Sequence, residues 1–201
     1  MRNKQEHEQG YFAAFREIAK RIETSLQGVA KEALPIRMYV AGGAALHFHT
    51  GARVSIDVDA AFSHRIALPE NLRVSYEDDD GSARLLYFDH QYNDTLGLMH
   101  EDAYEDSVPL ALPDINRRIL DVRLLAPVDL AISKLGRYSE QDRADILSLA
   151  KKRLLTRASL SKRAQEAIGG YVGDVHRLQG NIDDALRMLA ARSKPAARIK
   201  K

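Results

Sequence analysis

Two aspartates separated by one residue, Asp57 and Asp59, are the side chains of this sequence whose type and spacing best suit chemistry. Every second residue of a β-strand projects from the same face, so the two carboxylates would lie about 7 Å apart along the chain. Magnesium prefers oxygen ligands and commonly joins one or two carboxylates to substrate phosphates. The pair therefore predicts a Mg²⁺ site, although acids on the solvent face of a half-buried strand would give the same pattern.

A glycine pair, Gly42-Gly43, lies upstream of the acids between two short elements. Residues 36–41 predict a strand, and residues 44–49 predict a short helix that ends at Gly51. Glycines in such a position let the backbone approach a phosphate while the first helical amides point at its oxygens. A plain turn is the alternative. Combined with the acids on the next strand, the pair predicts a triphosphate cradle and metal ligands that face one cleft.

These segments resemble a known superfamily. The runs VAGGAAL (40–46) and GARVSIDVD (51–59) look like the DNA polymerase beta type nucleotidyltransferases, in which a glycine turn precedes an Asp-x-Asp strand by about this spacing. The runs LAPVDLAISKL (125–135) and QDRADI (141–146) are similar to the AbiEii-like branch, in which a lysine on a helix is followed by an acidic cluster. The resemblance extends over about residues 37 to 150.

The resemblance implies roles for named residues. Asp57 and Asp59 would bind magnesium, and Lys134 would neutralise triphosphate charge. Either Asp142 or Asp145 would orient Lys134 or assist proton transfer. The implied nucleotide contacts are Gly42, Gly43, Arg53, Ser55 and Lys134. For two of these an alternative stays open, since Arg53 would equally pair with a nearby carboxylate and Ser55 would equally cap the turn.

A third acid is missing from the expected place. The superfamily usually supplies it from a following strand, where this sequence has Leu96 to Asp102. Glu101 or Asp102 would serve after a shift, and Asp121 on a later strand is another candidate. Two carboxylates would also suffice for a single metal ion.

The function that the resemblance implies is transfer of a nucleotide from an NTP to an RNA, such as tRNA, or to a protein. It also suggests the toxin half of a toxin-antitoxin or phage-defence pair, with a cognate antitoxin as partner. The alternative is a catalytically lapsed binding protein or antitoxin that keeps the fold. That protein would act through basic C-terminal helices, because residues 151–201 carry 13 Lys and Arg against 4 Asp and Glu.

The composition limits the size of the core and the class of protein. At 201 residues and 45% hydrophobic content the chain can bury one good core with a small extension. It has no cysteine, which fits a reducing cytoplasm and excludes sites built on sulfur. The first eight residues lack the apolar core of a signal peptide, and no run is long enough to cross a membrane. We therefore expect a cytoplasmic protein without a membrane partner.

Apolar periodicity predicts an α+β nucleotidyltransferase fold: a mixed central sheet flanked by helices, with a C-terminal helical extension. The predicted domains are a core with an N-terminal helix (1–150), a helical segment (151–193) and a basic disordered tail (194–201). Helices are expected at 6–28, 44–49, 129–137, 140–153, 159–171 and 174–192. Strands are expected at 36–41, 54–62, 72–76, 84–88, 108–112 and 119–124.

Overall fold

An amphipathic helix opens the chain in the computed structural model, which describes residues 4–78, 80–94 and 97–193. Helix α1 (Lys4–Ser25) continues into a 3-10 turn at Leu26–Gly28. Its buried side chains recur at steps of three and four, which is the spacing that keeps them on one face. They include Tyr11, Phe15, Ile18, Ile22 and Leu26. This face packs on strands of the sheets described next, as the predicted apolar stripe requires.

The strands form two mixed sheets. In chain order they are β1 (Ile36–Val40), β2 (Asp57–Val58), β3 (Ala60–Phe62), β4 (Arg73–Glu77), β5 (Ala83–Phe88), β6 (Val108–Pro109) and β7 (Leu120–Leu124). One sheet has the order β3-β1-β7-β6, with β1 and β7 parallel and the outer pairs antiparallel. The other has the order β2-β5-β4, with β2 and β5 parallel. The prediction of a mixed sheet is confirmed, although the strands divide between two sheets.

The predicted continuous strand at 54–62 is wrong in its first half. The chain pairs with one sheet up to Val58 and with the other from Ala60, so the ladder changes partner at Asp59. Val58 is buried, but Ile56, two residues earlier in the predicted strand, is 66% exposed, although its carbonyl oxygen accepts from the N–H of Tyr87. The predicted strand at 108–112 also ends early, at Pro109, although the N–H of Leu110 still donates to the carbonyl oxygen of Val122.

The glycine turn joins β1 to helix α2 (Gly42–Thr50). Gly51 ends that helix in the left-handed conformation, with φ 62°, and its N–H donates to the carbonyl oxygen of His47. Glycine is the usual residue at this position because it has no Cβ to clash. The predicted order of strand, glycine turn and short helix is confirmed.

Four further helices follow β7: α3 (Pro127–Ser133), α4 (Glu140–Lys151), α5 (Arg157–Ala167) and α6 (Val175–Ser193). Pro127 occupies the start of α3, where its missing N–H costs nothing. A buried ion pair ties α3 to α5, since Arg163 donates to both carboxylate oxygens of Asp129, at 2.7 and 2.9 Å. Asp129 is fully buried, so this pair replaces its hydration.

The chain divides into two units by its contacts. The first comprises residues 1–93 and 104–126, and the second comprises residues 94–103 and 127–201. Helix α4, which the sequence analysis groups with the core, belongs to the second unit together with α3, α5 and α6. The tail predicted to be disordered, 194–201, lies outside the described residues.

The architecture is α+β, with helices flanking mixed sheets and a helical C-terminal part, as predicted. Across the described ranges, no helix combines the length and the apolar character that crossing a bilayer requires.

Candidate active site

The glycine turn leaves the start of α2 without a side-chain cap. Gly42 has φ +57°, a conformation that side-chain-bearing residues rarely adopt, and it turns the chain sharply from β1 into α2. Ala41 precedes the helix, and its methyl group can accept no hydrogen bond from the first turn. The first amides of a helix need an external acceptor. The turn therefore presents N–H groups suited to an anion such as a phosphate.

Asp59 lies directly against this turn. A Cβ added to Gly42 would fall 1.9 Å from Oδ2 of Asp59, so the carboxylate fills the space that a side chain would need. The N–H of Ala41 donates to the carbonyl oxygen of Asp59 at 2.9 Å, which fixes the backbone of the two segments side by side. The structure thus brings together the glycine turn and one of the two predicted metal ligands.

Ser55 and Arg53 approach the second glycine. A Cβ on Gly43 would lie 2.5 Å from Oγ of Ser55 and 3.0 Å from Nη1 of Arg53. Ser55 is buried, and its hydroxyl donates to Oδ1 of Asp57 at 2.5 Å. The second predicted ligand is therefore held beside the same turn through one hydroxyl group. This contact is neither of the two predicted for Ser55, and its predicted roles as a phosphate ligand or a cap of the turn stay predictions.

The predicted acids are accessible enough to bind a ligand. Asp57 and Asp59 are half-buried, whereas Val58 between them is fully buried. This alternation is what a strand with one core face produces. Two half-buried carboxylates beside a cradle of backbone amides fit Mg²⁺, which would keep several waters and take further oxygens from substrate phosphates. Within the ranges that the structure describes, no three acidic or histidine side chains converge as a ready-made metal centre.

A third acid that the sequence analysis missed lies on the neighbouring strand. Strand β2 pairs in parallel with β5, and the N–H of Asp89 donates to the carbonyl oxygen of Val58 at 3.0 Å. Asp89 directly follows Phe88, the β5 partner of Val58, so its backbone lies next to the end of β2. Asp89 is half-buried, and its Oδ1 accepts from the N–H of Gln91. It directly follows the strand predicted at 84–88, but only the pairing of β2 with β5 shows which acids become its neighbours.

The acids that the sequence analysis considered for this role have other surroundings. Asp121 lies in β7 opposite Arg37, and it accepts hydrogen bonds from Arg117 and Arg123. Its charge is thus already balanced by two guanidinium groups. Glu101 and Asp102 lie in a turn of the second unit and on no strand.

Tyr11 of helix α1 is a further neighbour that the sequence did not indicate. Its hydroxyl is buried, and no described residue gives it a hydrogen bond of ordinary geometry. Burial is the main cause that raises the pKa of Tyr11 well above its ordinary value. The nearby charge of Asp57 raises this pKa further, whereas the Ser55 backbone and Arg53 oppose the shift. The phenol therefore stays protonated next to the acid pair.

The two histidines of α2 bind the backbone and do not form a metal pair. His47 contacts the carbonyl oxygen of Arg53 at 3.0 Å, and His49 contacts that of Leu125 at 2.8 Å. Burial lowers the pKa of His49, which favours its neutral form. Their spacing of two residues sends them to different faces of the helix.

Lys134 lies in the second unit, one residue beyond the end of α3. The prediction that it occupies a helix is therefore wrong, because α3 ends at Ser133. Its ammonium is buried and pairs with Oδ2 of Asp145 at 2.8 Å, while Oδ1 of Asp142 lies at 3.8 Å. The structure brings the lysine and both predicted acids together. Their catalytic roles stay predictions.

Asp142 is held by contacts that stabilise a helix end. It closes a capping box at the start of α4, where its carboxylate accepts from the N–H of Ser139 and the Ser139 hydroxyl contacts the N–H of Asp142. Arg137 donates to both of its oxygens. Burial by itself would raise the pKa of Asp142, but the hydrogen bonds from Arg137 and Ser139 outweigh it and lower the pKa to about 2.

A glycine turn between strand and helix, with carboxylates of the next strand against it, defines the nucleotidyltransferase class of fold. The chain belongs to the family DUF6036, described as nucleotidyltransferase of unknown function, which matches residues 17–169. That range includes the glycine turn, the acids Asp57, Asp59 and Asp89, and the Lys134 cluster. The finer assignment to the AbiEii-like branch stays a prediction.

Comparison with solved structures gives a distant likeness. A crystal structure of an antigenic nucleotidyltransferase-like protein from Paracoccidioides brasiliensis aligns with 85% of this chain and 92% of its own, at 17% identity and a TM-score of 0.36. No curated protein matches the sequence.

Replacing Gly42 by alanine should destabilise the fold. The new Cβ would collide with Oδ2 of Asp59, and alanine would also be forced to φ +57°. The left-handed conformation alone costs about 1–2 kcal/mol. Urea denaturation should therefore show a loss of at least that size. Gly28→Ala is the control, because no atom lies within 4 Å of its added Cβ; equal stabilities of the two variants would refute the close contact.

The capping role of Asp142 should appear as acid sensitivity. A carboxylate whose pKa falls from 3.8 to about 2 on folding stabilises the protein above the higher value, and this stabilisation is lost as pH falls towards the lower one. Urea denaturation of the wild type should show that loss. Asp142→Asn should be less stable at neutral pH and should lack this part of the pH dependence. Asp183→Asn, an exposed carboxylate on α6, should behave as wild type.

Proposed function

We propose that the protein is a magnesium-dependent nucleotidyltransferase that transfers a nucleotide from an NTP to an RNA or protein acceptor. The observation that carries the proposal is the contact of the Asp59 carboxylate with the Gly42 turn. It places a metal ligand beside backbone amides that suit a phosphate. Membership of a nucleotidyltransferase family supports the same conclusion.

The first task of the site is to hold the triphosphate. The N–H groups at the start of α2 would donate hydrogen bonds to phosphate oxygens, and Arg53, whose Nη1 lies near Gly43, would add positive charge. Asp57 and Asp59 would hold magnesium, which when bound offsets phosphate charge and aligns the reacting groups. The hydroxyl of Ser55 orients Asp57 through its 2.5 Å hydrogen bond.

The reaction joins an acceptor hydroxyl oxygen to the α-phosphorus. As that bond forms, the bond from the α-phosphorus to the bridging oxygen of pyrophosphate breaks, and pyrophosphate leaves. The hydroxyl proton must pass to a base. Asp89 is the candidate for that base, since its N–H donates to the carbonyl oxygen of Val58, the residue between Asp57 and Asp59. A carboxylate positioned in this way typically contributes about 10²–10⁴-fold to the rate.

The biological role would be indicated by the neighbouring genes, since a toxin is expected beside the gene of its antitoxin. The resemblance to AbiEii-like proteins supports the proposal that the enzyme is the toxin of a toxin-antitoxin pair. Lys134 would serve the triphosphate only if its pairing with Asp145 can be exchanged for phosphate contacts.

Asp57→Asn should abolish transfer. Incubation of the full chain with labelled NTPs, Mg²⁺ and total tRNA should release pyrophosphate and label a product, and EDTA should stop both. The variant should lower the rate by at least about 100-fold, because a metal-centred charge contributes several kcal/mol. Asp80→Asn removes an exposed carboxylate of the β4–β5 turn and should leave the rate unchanged. Absence of labelling with every NTP and with both RNA and protein acceptors would contradict the proposal.

Asp89→Asn should separate chemistry from binding. If Asp89 accepts the proton, its amide variant should lose kcat while Mg²⁺-dependent NTP binding, measured by titration calorimetry, stays near the wild-type value. Asp57→Asn should lose that binding as well. The role assigned to Asp89 is contradicted if its variant keeps the wild-type kcat, or if it loses NTP binding to the same extent as Asp57→Asn.

A further inference from the structure

A cleft of about 490 Å³ lies within the second unit, formed by the end of α4, the start of α5 and α6. Polar and apolar side chains share its walls. They are Lys151, Arg153, Thr156 and Arg157, with Ala150, Leu155 and Leu189. None of them belongs to the site described above. We call it the basic cleft.

The positive charge of the basic cleft has no internal counterpart. Residues 151–157 include four exposed cations, counting Lys152 beside the lining residues, and no acid. Among the described residues, no carboxylate forms an ion pair with any of the four. Cations farther along α5 differ, since Lys162 pairs with Glu166 and Arg163 with Asp129. Uncompensated charge in a concave surface attracts anions.

The backbone holds one of these cations in a costly conformation. Arg153 has φ +61°, in the left-handed region where glycine is the usual residue. The turn is anchored by Leu155, which is 4% exposed, and by the N–H of Leu154, which donates to the carbonyl oxygen of Leu149 at 3.0 Å. The position thus carries a guanidinium group at the cleft where a glycine would fit with less strain.

The chemistry of the lining selects phosphate groups. Its ammonium and guanidinium groups are donors only, and guanidinium matches phosphate with two parallel hydrogen bonds. Among the side chains that the structure describes, none that lines the cleft is aromatic, so these side chains give no platform on which a base could stack. A site of this kind recognises a nucleic-acid backbone and reads little sequence.

An acidic protein partner fits less well. Protein interfaces depend on apolar or aromatic anchors that become buried on binding. In the basic cleft, Leu155 and Leu189 are each only 4% exposed, and Ala150 is small. The lining itself therefore leaves little apolar surface for a partner to cover, although Leu154 beside it is 42% exposed.

We propose that the basic cleft binds the sugar-phosphate backbone of RNA and so holds the acceptor of nucleotide transfer. Only the role of the bound RNA as acceptor rests on the proposed function, since RNA binding can be measured without any reaction. The charge of residues 151–201, with 13 Lys and Arg against 4 Asp and Glu, adds a long-range attraction.

The test is fluorescence anisotropy of labelled single-stranded 20-nucleotide RNAs with the full chain, in EDTA and without NTP. The double variant Arg153→Gln/Arg157→Gln should bind at least about tenfold more weakly at low salt, and to a similar extent for RNAs of unrelated sequence. The slope of log affinity against log salt should fall by about 1.4, since each single-strand phosphate contact contributes about 0.7. Circular dichroism checks that the variant is folded.

The matched control is Lys162→Gln/Arg187→Gln, which removes the same charge from two side chains that are 79% and 75% exposed. It should keep near wild-type affinity. Equal losses in the two double variants, or no loss in the first, overturn the proposal. Displacement of the RNA by an acidic peptide, or by ATP at concentrations where inorganic phosphate has no effect, would assign the cleft to another ligand and overturn it too.

The same assay separates this inference from the proposed function. Asp57→Asn should bind RNA as wild type does, because its carboxylate lies in the other unit. RNA binding that depends on the cleft, without any transfer activity, would support the cleft while contradicting the enzyme. Transfer to a protein acceptor without RNA binding would do the reverse.

Discussion

The close contact between Asp59 and Gly42 is the constraint on which the rest of the site depends. The carboxylate occupies the space that a side chain at position 42 would fill, and the turn adopts φ +57°. Either fact alone favours glycine, and together they require it. The contact fixes the acid-bearing segment against the start of α2, so charge and backbone amides meet at one point. Every other contribution to the proposed chemistry is positioned relative to that point.

The change of sheet at Asp59 determines which other groups reach it. Up to Val58 the chain pairs with β5, and from Ala60 it pairs with β1. The first pairing brings the backbone of Asp89 next to Val58, between the two acids, and the second secures the turn through the N–H of Ala41. A single uninterrupted strand could not place its acids next to elements of two sheets. The break that shortens the predicted strand thus serves the geometry of the site.

Features that depend on residues close together in the sequence could be predicted, whereas features that depend on distant strand pairing could not. The stripe of α1, the glycine turn and the two acids are set by neighbours a few residues apart, and their arrangement was predicted correctly. Asp89 was missed because its place depends on the pairing of β2 with β5, about thirty residues apart in the numbering. The capping box of Asp142 is a local pattern, Ser-x-x-Asp, that sequence alone could have indicated.

The alanine before α2 implies a conflict between folding and binding. A serine or aspartate at position 41 would satisfy the first amides of the helix and stabilise it by about 1 kcal/mol. The same oxygen would then occupy the donors that an incoming anion needs. With a methyl group there, the chain forgoes that stability, and Ala41 itself occupies none of the first amides. An engineered cap at this position would yield a sturdier protein whose own side chain competes with its substrate.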